Sequence, residues 1–192
     1  RWSQVDEREG RERFQRLEEP HYGYERLTAP VRVNDSQVSV DYPGAPDSTV
    51  AHFRLPAPLP PGDSVVVAFE WDARPSTLPR RQGRRGRHWD LAQWYPKVAV
   101  YDRGGWQHNA LQPAGEFYGE FGTYDVSLVL ANDQVVAATG VPVSGDPGWS
   151  RVIRGGPPRL PPGAYGPVPE VPVSAPPGHR IVRFRAENVH HF

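Results

Sequence analysis

The sequence predicts a mainly β, antiparallel domain, built as a sandwich or an open barrel. Short stretches of alternating apolar and polar residues recur along the chain, with turn signals between them every 8–12 residues or so. The 23 prolines and 19 glycines suit the many turns that such a fold needs. The 192 residues are enough for one ordinary domain with a sizeable core.

The N-terminal stretch "RWSQVDEREGRERFQRLEE" is the one helical candidate. Trp2, Val5, Phe14 and Leu17 can share one helical face while charged residues cover the rest. Pro20 would end such a helix. We therefore expect a helical segment or insertion over residues 1–20, followed by a β-domain over residues 21–192.

The first predicted strands lie between residues 31 and 71. In "VRVNDSQVSV" a turn at Asn34-Asp35 predicts a hairpin that sets Val31 and Val33 against the segment carrying Val38 and Val40. "APLPPGDSVVVAFEW" follows as a half-buried strand after a Pro-Gly turn. Its two faces should alternate, the inward one made of Val65, Val67, Phe69 and Trp71.

The C-terminal half predicts a second hairpin and several further strands. "VAVYDRGGWQH" turns at Asp102–Gly105. "TYDVSLVLANDQVVAATG" predicts a long strand and then, after an Asn132-Asp133 turn, a shorter one over Val135–Thr139. The inward residues of the long strand would be Tyr124, Val126, Leu128 and Leu130.

Three features complete the C-terminal half. "WSRVIR" is a further strand candidate, and "RIVRFRA" predicts a closing strand with Val182 and Phe184 on one face. Residues 155–178 between them are rich in proline and glycine, which indicates an excursion rather than a packed element.

The segment "RRQGRRGRHWDLAQWYPK" (80–97) begins with a run of arginines: Arg80, Arg81, Arg84, Arg85 and Arg87. We interpret this run as a solvated loop between strands, with a contact to an anion or an acidic partner as the alternative. The net charge of zero and the expectation that no aromatic residue lies among the arginines argue against nucleic-acid binding.

Aromatic residues are concentrated between positions 89 and 124. Aromatic side chains favour strands and bury large areas, so the first interpretation is a core and its rim. The alternative is a surface that faces a substrate or another domain. The residues concerned are Trp89, Trp94, Tyr95, Tyr101, Trp106, Phe117, Tyr118, Phe121 and Tyr124.

Recognisable catalytic chemistry is missing from the sequence. There is no cysteine, and no H-E-x-x-H, G-x-S-x-G or phosphate-binding loop motif. In "ENVHH" the adjacent His190 and His191 would point to opposite faces of a strand. Glu116 and Glu120 would stand about 13 Å apart on a strand, too far for a glycosidase pair. We expect neither catalytic nor metal-ligating residues in this chain.

Two blocks carry a resemblance: "QWYPKVAVYDRGGW" (Gln93–Trp106) and "GEFYGEFGTYDVSLVLANDQVVAATG". They resemble the N-terminal domain of the zinc-dependent gluzincin aminopeptidases, the membrane alanyl aminopeptidase and leukotriene-hydrolase family. The likeness is to a bacterial branch with a Q-W-Y-P-x-x-A-V-Y-D-x-x-G-W signature, and it spans about residues 22–192. Lys97 stands where the family usually has cysteine, and no Glu-Pro follows Asp102.

The resemblance implies a saddle-shaped, mostly antiparallel β-domain that packs against a thermolysin-like catalytic domain. In that family the zinc and the H-E-x-x-H helix belong to the catalytic domain, C-terminal to this segment. The β-domain shields the site, and the peptide substrate lies at the domain interface. By position, Gln93 is the candidate for the polar side chain near the substrate's N-terminus.

The resemblance implies that the chain is a piece of a longer protein. By itself the chain would have no cofactor and would be inactive. The first residue, Arg1, and the strand-like end of the sequence are expected for a fragment. No apolar run approaches the ~20 residues of a membrane helix. An extracytoplasmic or membrane-associated location in a bacterium would suit such a parent. The alternatives are a free-standing β-sandwich module for a peptide or glycan and, third, a nucleic-acid binder that uses the arginines.

Overall fold

The computed structural model describes residues 23–77, 81–108, 118–152 and 174–192. The predicted helix over residues 1–20 lies outside this part of the chain. The described residues are mainly β, and each of their strand pairings is antiparallel. The prediction of a mainly β, antiparallel chain is therefore confirmed. Two compact units divide between Gly119 and Glu120.

The first unit consists of small sheets of two or three strands. Their orders are β1-β7, β3-β2-β6, β4-β5, β8-β9 and β10-β11. The strands are β1 (Tyr24–Leu27), β2 (Arg32–Val33), β3 (Ser36–Gln37), β4 (Val40–Asp41), β5 (His52–Phe53), β6 (Val67–Ala68), β7 (Trp71–Arg74), β8 (Gln82–Arg85), β9 (His88–Leu91), β10 (Val100–Asp102) and β11 (Gly105–Gln107).

The hairpin predicted at Asn34-Asp35 is present as β2 and β3. Both turn residues have positive φ, 43° and 67°, which is the backbone of a type I′ turn and matches the right-handed twist of the flanking strands. The register differs in detail from a valine-to-valine pairing, because Val33 lies opposite Ser36. Val31 and Val33 are both buried, as expected beside and within the central strand of a three-stranded sheet.

The alternation predicted from Val65 to Trp71 is also confirmed. The odd-numbered residues of this segment are partly buried and the even-numbered ones are exposed. The segment is divided between two sheets, because β6 pairs with β2 whereas β7 pairs with β1.

The second unit is a three-stranded sheet with β14 in the centre. Its order is β12-β14-β13, with β12 (Gly122–Ala131), β13 (Val141–Ser144) and β14 (His179–Val189). Val182 and Phe184 are fully buried on β14, opposite Leu128 and Val126 of β12. The predicted long strand and the predicted closing strand are thus confirmed, including their inward faces.

Two predicted strands of this unit are wrong. Val135–Thr139 is not a strand, because its backbone is bonded to a loop: Val136 donates its N–H to the Pro147 carbonyl (3.0 Å) and accepts from Trp149 Nε1 (2.6 Å). In "WSRVIR", Trp149–Arg151 forms a 3₁₀-helix instead of a strand, and residues 153–154 lie outside the described part. The helix begins after Gly148, whose φ of 84° turns the chain out of the extended conformation.

The second neighbour of β14 in the sheet is β13, and glycines flank β13 on both sides. Gly140 and Gly145 have φ of 81° and 79°. A Cβ at either position would collide with a carbonyl of β14, that of Arg185 or that of Ile181. Of the Pro/Gly-rich stretch 155–178, residues 155–173 lie outside the described part, and 174–178 are a loop and turn that lead into β14.

Candidate functional site

The arginine run forms a hairpin, so its interpretation as a loop is wrong. β8 and β9 pair across a two-residue turn of Gly86 and Arg87. Gly86 has φ of 59°, which glycine adopts at no steric cost. Alternating glycine and arginine concealed this strand, because glycine is depleted in strands generally. Arg80 lies outside the described residues.

The pairing of β8 with β9 also brings an aromatic ring to the arginines, contrary to the sequence-based expectation. Arg84 lies directly opposite Trp89. The guanidinium carbon of Arg84 is 5.9 Å from the centroid of the Trp89 ring, within the range of a cation–π contact. Trp89 remains 48% exposed.

A cleft of about 300 Å³ lies beside this hairpin. β7 forms the wall of the cleft on one side, and the β8–β9 hairpin forms the wall on the other. Trp94 comes from the loop that follows β9. We call it the tryptophan cleft. It is lined by Trp71, Asp72, Ala73, Pro75, Gln82, Trp89, Leu91 and Trp94.

The positions of the tryptophans follow from strand register and ring contacts. Gln82 of β8 pairs with Leu91 of β9. Leu91 is two positions from Trp89 on β9, so the side chains of Gln82, Leu91 and Trp89 share one face of the hairpin. Trp94 contacts Trp71, with ring centroids 6.1 Å apart and planes tilted by 44°. The Trp94 of the "QWYP" motif is therefore part of the cleft wall.

Two carboxylates lie at or near the cleft. Asp72, in the lining, accepts hydrogen bonds at Oδ2 from Tyr24 Oη (3.0 Å) and Arg26 Nη2 (2.9 Å). Glu25 lies opposite Ala73 in the β1–β7 pair and accepts from Gln82 Nε2 at 3.3 Å. Desolvation raises the pKa of Glu25, and the hydrogen bond from Gln82 offsets part of that effect.

Gln93, the candidate substrate-binding residue, precedes this cleft wall directly. It is half-buried and has φ of 54°, the left-handed region that is uncommon outside glycine. Gln93 is not among the lining residues of the cleft. The same segment includes Lys97, whose pKa is lowered by desolvation.

A second aromatic surface lies on the β10–β11 hairpin, whose prediction is confirmed. Tyr101 and Trp106 face each other across the two strands, with ring centroids 5.0 Å apart. They are 66% and 56% exposed, whereas Val100 on the opposite face is buried. Asp102 holds the turn, since its Oδ1 accepts from the Gly104 N–H (2.7 Å) and from Gln107 Nε2 (3.0 Å).

Most described members of the aromatic run are exposed, so they belong to the surface or the rim rather than to the core. The exposed ones are Trp89, Tyr101, Trp106, Tyr118 and Phe121. Trp94, Tyr95 and Tyr124 are partly buried, and Phe117 lies outside the described residues. The exposed members include Trp89, in the tryptophan cleft, and the Tyr101–Trp106 pair.

The histidine and carboxylate candidates do not form a metal group in the described part of the chain. No cluster of three or more His, Asp or Glu side chains there is arranged to hold an ion. β14 ends before His190, whose ring lies 3.8 Å from that of Phe121. Glu116 lies outside the described residues, so its separation from Glu120 stays a prediction. In the described segments no helix combines the length and apolar character that a membrane crossing requires.

No family model, curated protein or solved structure matches this chain.

Proposed function

We propose that this chain is the non-catalytic N-terminal β-domain of a zinc-dependent aminopeptidase-like protein. In this proposal its sheets form the saddle-shaped, sandwich-like body of the family, which packs against a C-terminal catalytic domain and shields the peptidase site. Zinc, held by that other domain, would supply the activated water that cleaves the N-terminal residue from a peptide. The parent protein would be extracytoplasmic or membrane-associated in a bacterium.

The exposed Tyr101–Trp106 pair carries the proposal. It lies inside the Gln93–Trp106 block on which the resemblance rests, and Val100 on the other face of the hairpin is buried. Covering the exposed parts of two such rings would remove roughly 200 Å² from water, worth about 5 kcal/mol at ~25 cal/mol per Å². A partner domain packed on this hairpin would gain that energy, less the cost of ordering the interface.

Gln93 remains the candidate for the polar contact with the substrate's N-terminus. Its left-handed backbone and half-buried position support this role, because strained backbone is concentrated at binding and catalytic sites. In the parent protein, Gln93→Ala should raise KM for an aminoacyl anilide more than it lowers kcat. An unchanged KM would remove Gln93 from the site.

The coding sequence beyond Phe192 provides the first test. We expect an H-E-x-x-H motif on the C-terminal side, and a stop codon directly after this segment would refute the proposal. The protein encoded by the longer reading frame should contain zinc and release alanine from an aminoacyl anilide, whereas the 192-residue chain should release none with or without added zinc.

Surface variants of the longer protein provide the second test. Tyr101→Ser with Trp106→Ser should weaken the docking of the two domains, detected as faster proteolysis between them and lower aminopeptidase activity. Val66→Ser is the matched control, because Val66 is 71% exposed and directly precedes β6 in the same unit. Equal effects of the two changes would show that the aromatic pair is not an interface.

A free-standing module that binds a peptide or a glycan is the second candidate function. The same exposed rings favour it, because aromatic platforms stack on sugars and on peptide side chains. In that case the reading frame would end without encoding a peptidase domain, and the isolated chain would bind soluble glycans or peptides. Under either candidate, binding to DNA at moderate salt should be negligible, and a steep salt dependence of such binding would contradict both.

A further inference from the structure

The tryptophan cleft is a half-open depression whose walls are held by contacts within the chain. Trp71 belongs to β7, Trp89 to β9 and Trp94 to the loop after β9. Phe69 and Tyr95 support two of these rings, at centroid distances of 5.7 Å from Trp71 and 5.8 Å from Trp94. Its volume of about 300 Å³ is at the small end of the range for ligand pockets.

Acidic side chains lie at or near the cleft, although the adjoining hairpin carries many arginines. Among the described lining residues one is acidic, Asp72, and none is basic. Asp72 is already paired with a cation, since Arg26 Nη2 lies 2.9 Å from its Oδ2. Glu25 lies one hydrogen bond behind the lining, through Gln82. Glu25 accepts this bond from a neutral amide, so it is the carboxylate that would attract a cation and repel an anion.

Indole rings attract cations, and this chain already uses one of them in that way. The Arg84 guanidinium lies over the Trp89 ring. Tryptophan has the aromatic ring with the strongest attraction for a cation, and groups of such rings recognise quaternary ammonium compounds. Trp71 and Trp94 are tilted against each other by 44°, so the two rings are not stacked face to face.

We propose that the tryptophan cleft binds a small organic cation, an ammonium group on an apolar body, between Trp71, Trp89 and Trp94 and close to the carboxylate of Glu25. The ligand's charge would lie against the ring faces, and its methyl or methylene groups would fill the apolar remainder. This inference does not depend on the proposed function, since a peptidase domain is not needed to form the cleft.

The environment of Glu25 is consistent with this ligand. Its pKa is raised by desolvation, which the Gln82 hydrogen bond offsets only in part. A bound cation nearby would favour the ionised form and lower that pKa. Binding should therefore be stronger above the pKa of Glu25 than below it.

The test compares two probes of the same shape that differ in charge. Choline and its neutral carbon isostere, 3,3-dimethylbutan-1-ol, are titrated into the 192-residue chain by calorimetry and by tryptophan fluorescence. We expect choline to bind at least about tenfold more tightly than the isostere. Methyl glucoside serves as the neutral sugar probe and should not compete with choline.

Matched variants locate the site. Trp89→Ala should weaken choline binding about 3- to 30-fold, the range of a cation–π contact converted to affinity. Trp89→Phe keeps a ring and should weaken it less. Trp106→Ala, which removes a tryptophan of similar exposure on the β10–β11 hairpin, should leave choline binding unchanged. Glu25→Gln should weaken choline but not the isostere.

Each other result overturns the proposal. Equal affinity for choline and the isostere would show an apolar pocket without preference for charge. Competition by methyl glucoside would show a sugar site. Loss of choline binding in Trp106→Ala but not in Trp89→Ala would place the cation on the other hairpin, and no binding of choline at millimolar concentration would refute the site.

Discussion

The ion pair between Arg183 and Asp125 allows a quantitative prediction about the second unit. Arg183 Nε donates to Asp125 Oδ1 at 2.5 Å and its Nη2 donates to Oδ2 at 2.7 Å, a bidentate pair across β14 and β12. Arg185 Nη1 lies 3.8 Å from the same carboxylate. The side chains of Arg183 and Asp125 expose only 12% and 25% of their surface.

We expect Asp125→Asn to lower the free energy of unfolding by about 1.5 kcal/mol. An exposed ion pair contributes about 0.2–1 kcal/mol, and a hydrogen bond to a charged group about 1.5–3 kcal/mol. The bidentate geometry and the limited exposure place this pair between the two ranges. Asparagine keeps one acceptor, so the loss falls short of the upper figure.

The same pair predicts a dependence on pH. The pKa of Asp125 is held below its ordinary value, first by the hydrogen bonds from Arg183 and then by the positive charges of Arg183 and Arg185. A depressed folded-state pKa means that the stabilisation is fully present above the unfolded value of about 3.9 and is lost as pH falls through the lower folded value. Asp125→Asn should lose this part of the acid sensitivity.

Urea unfolding by circular dichroism, with hydrogen exchange of the β14 amides, measures both effects. A cycle with Asp125→Ala, Arg183→Ala and the double variant should give a coupling of about 1–2 kcal/mol at pH 7. Asp90→Asn is the control, since its partner His88 has a 72% exposed side chain. A coupling near zero, or equal losses in the Asp125 and Asp90 variants, would refute the reasoning.

Three further changes have defined outcomes. Gly145→Ala should destabilise the second unit by at least about 2 kcal/mol, because φ of 79° is strained for alanine and its Cβ would meet the Ile181 carbonyl; a thermal melt with the Gly145→Ser variant beside it checks this, and wild-type stability in both would contradict the close approach. Asp35→Gly should stabilise the first unit by about 0.5–1 kcal/mol, because glycine suits the second position of the type I′ turn; a lower urea midpoint would contradict the turn assignment. Trp149→Phe should cost about 1 kcal/mol through loss of the bond to the Val136 carbonyl, measured by urea unfolding, and faster exchange of the Val136 amide is expected with it.

The hairpins and the long strands could be predicted because their signals are local. Asn34-Asp35 and the Asp102–Gly105 segment place turn residues between short apolar runs, and each pair of strands is close in sequence. The inward faces of β12 and β14 follow from a period of two, which a strand must show when one face is covered. Val182 and Phe184 could therefore be identified as core.

The wrong predictions concern places where distant contacts overrode local pattern. Val135–Thr139 alternates like a strand, but its backbone is bonded to residues 147–149. The glycines and arginines of β8 are typical of a loop. The hairpin is nevertheless held by backbone hydrogen bonds, because the Ala92 N–H donates to the Arg81 carbonyl and the Arg84 N–H donates to the Ser76 carbonyl.

The candidate site could be predicted only in its composition. Alternation and turn residues show where tryptophans fall on a strand, and the sequence by itself determined the antiparallel β class, most hairpins and the two buried faces. Which tryptophans meet was decided by the tertiary structure, because Trp71 and Trp94 come together only through the packing of β7 against the segment after β9. The exposure of Tyr101 and Trp106 was decided in the same way, since a strand's pattern distinguishes its two faces but does not state which neighbour covers either one.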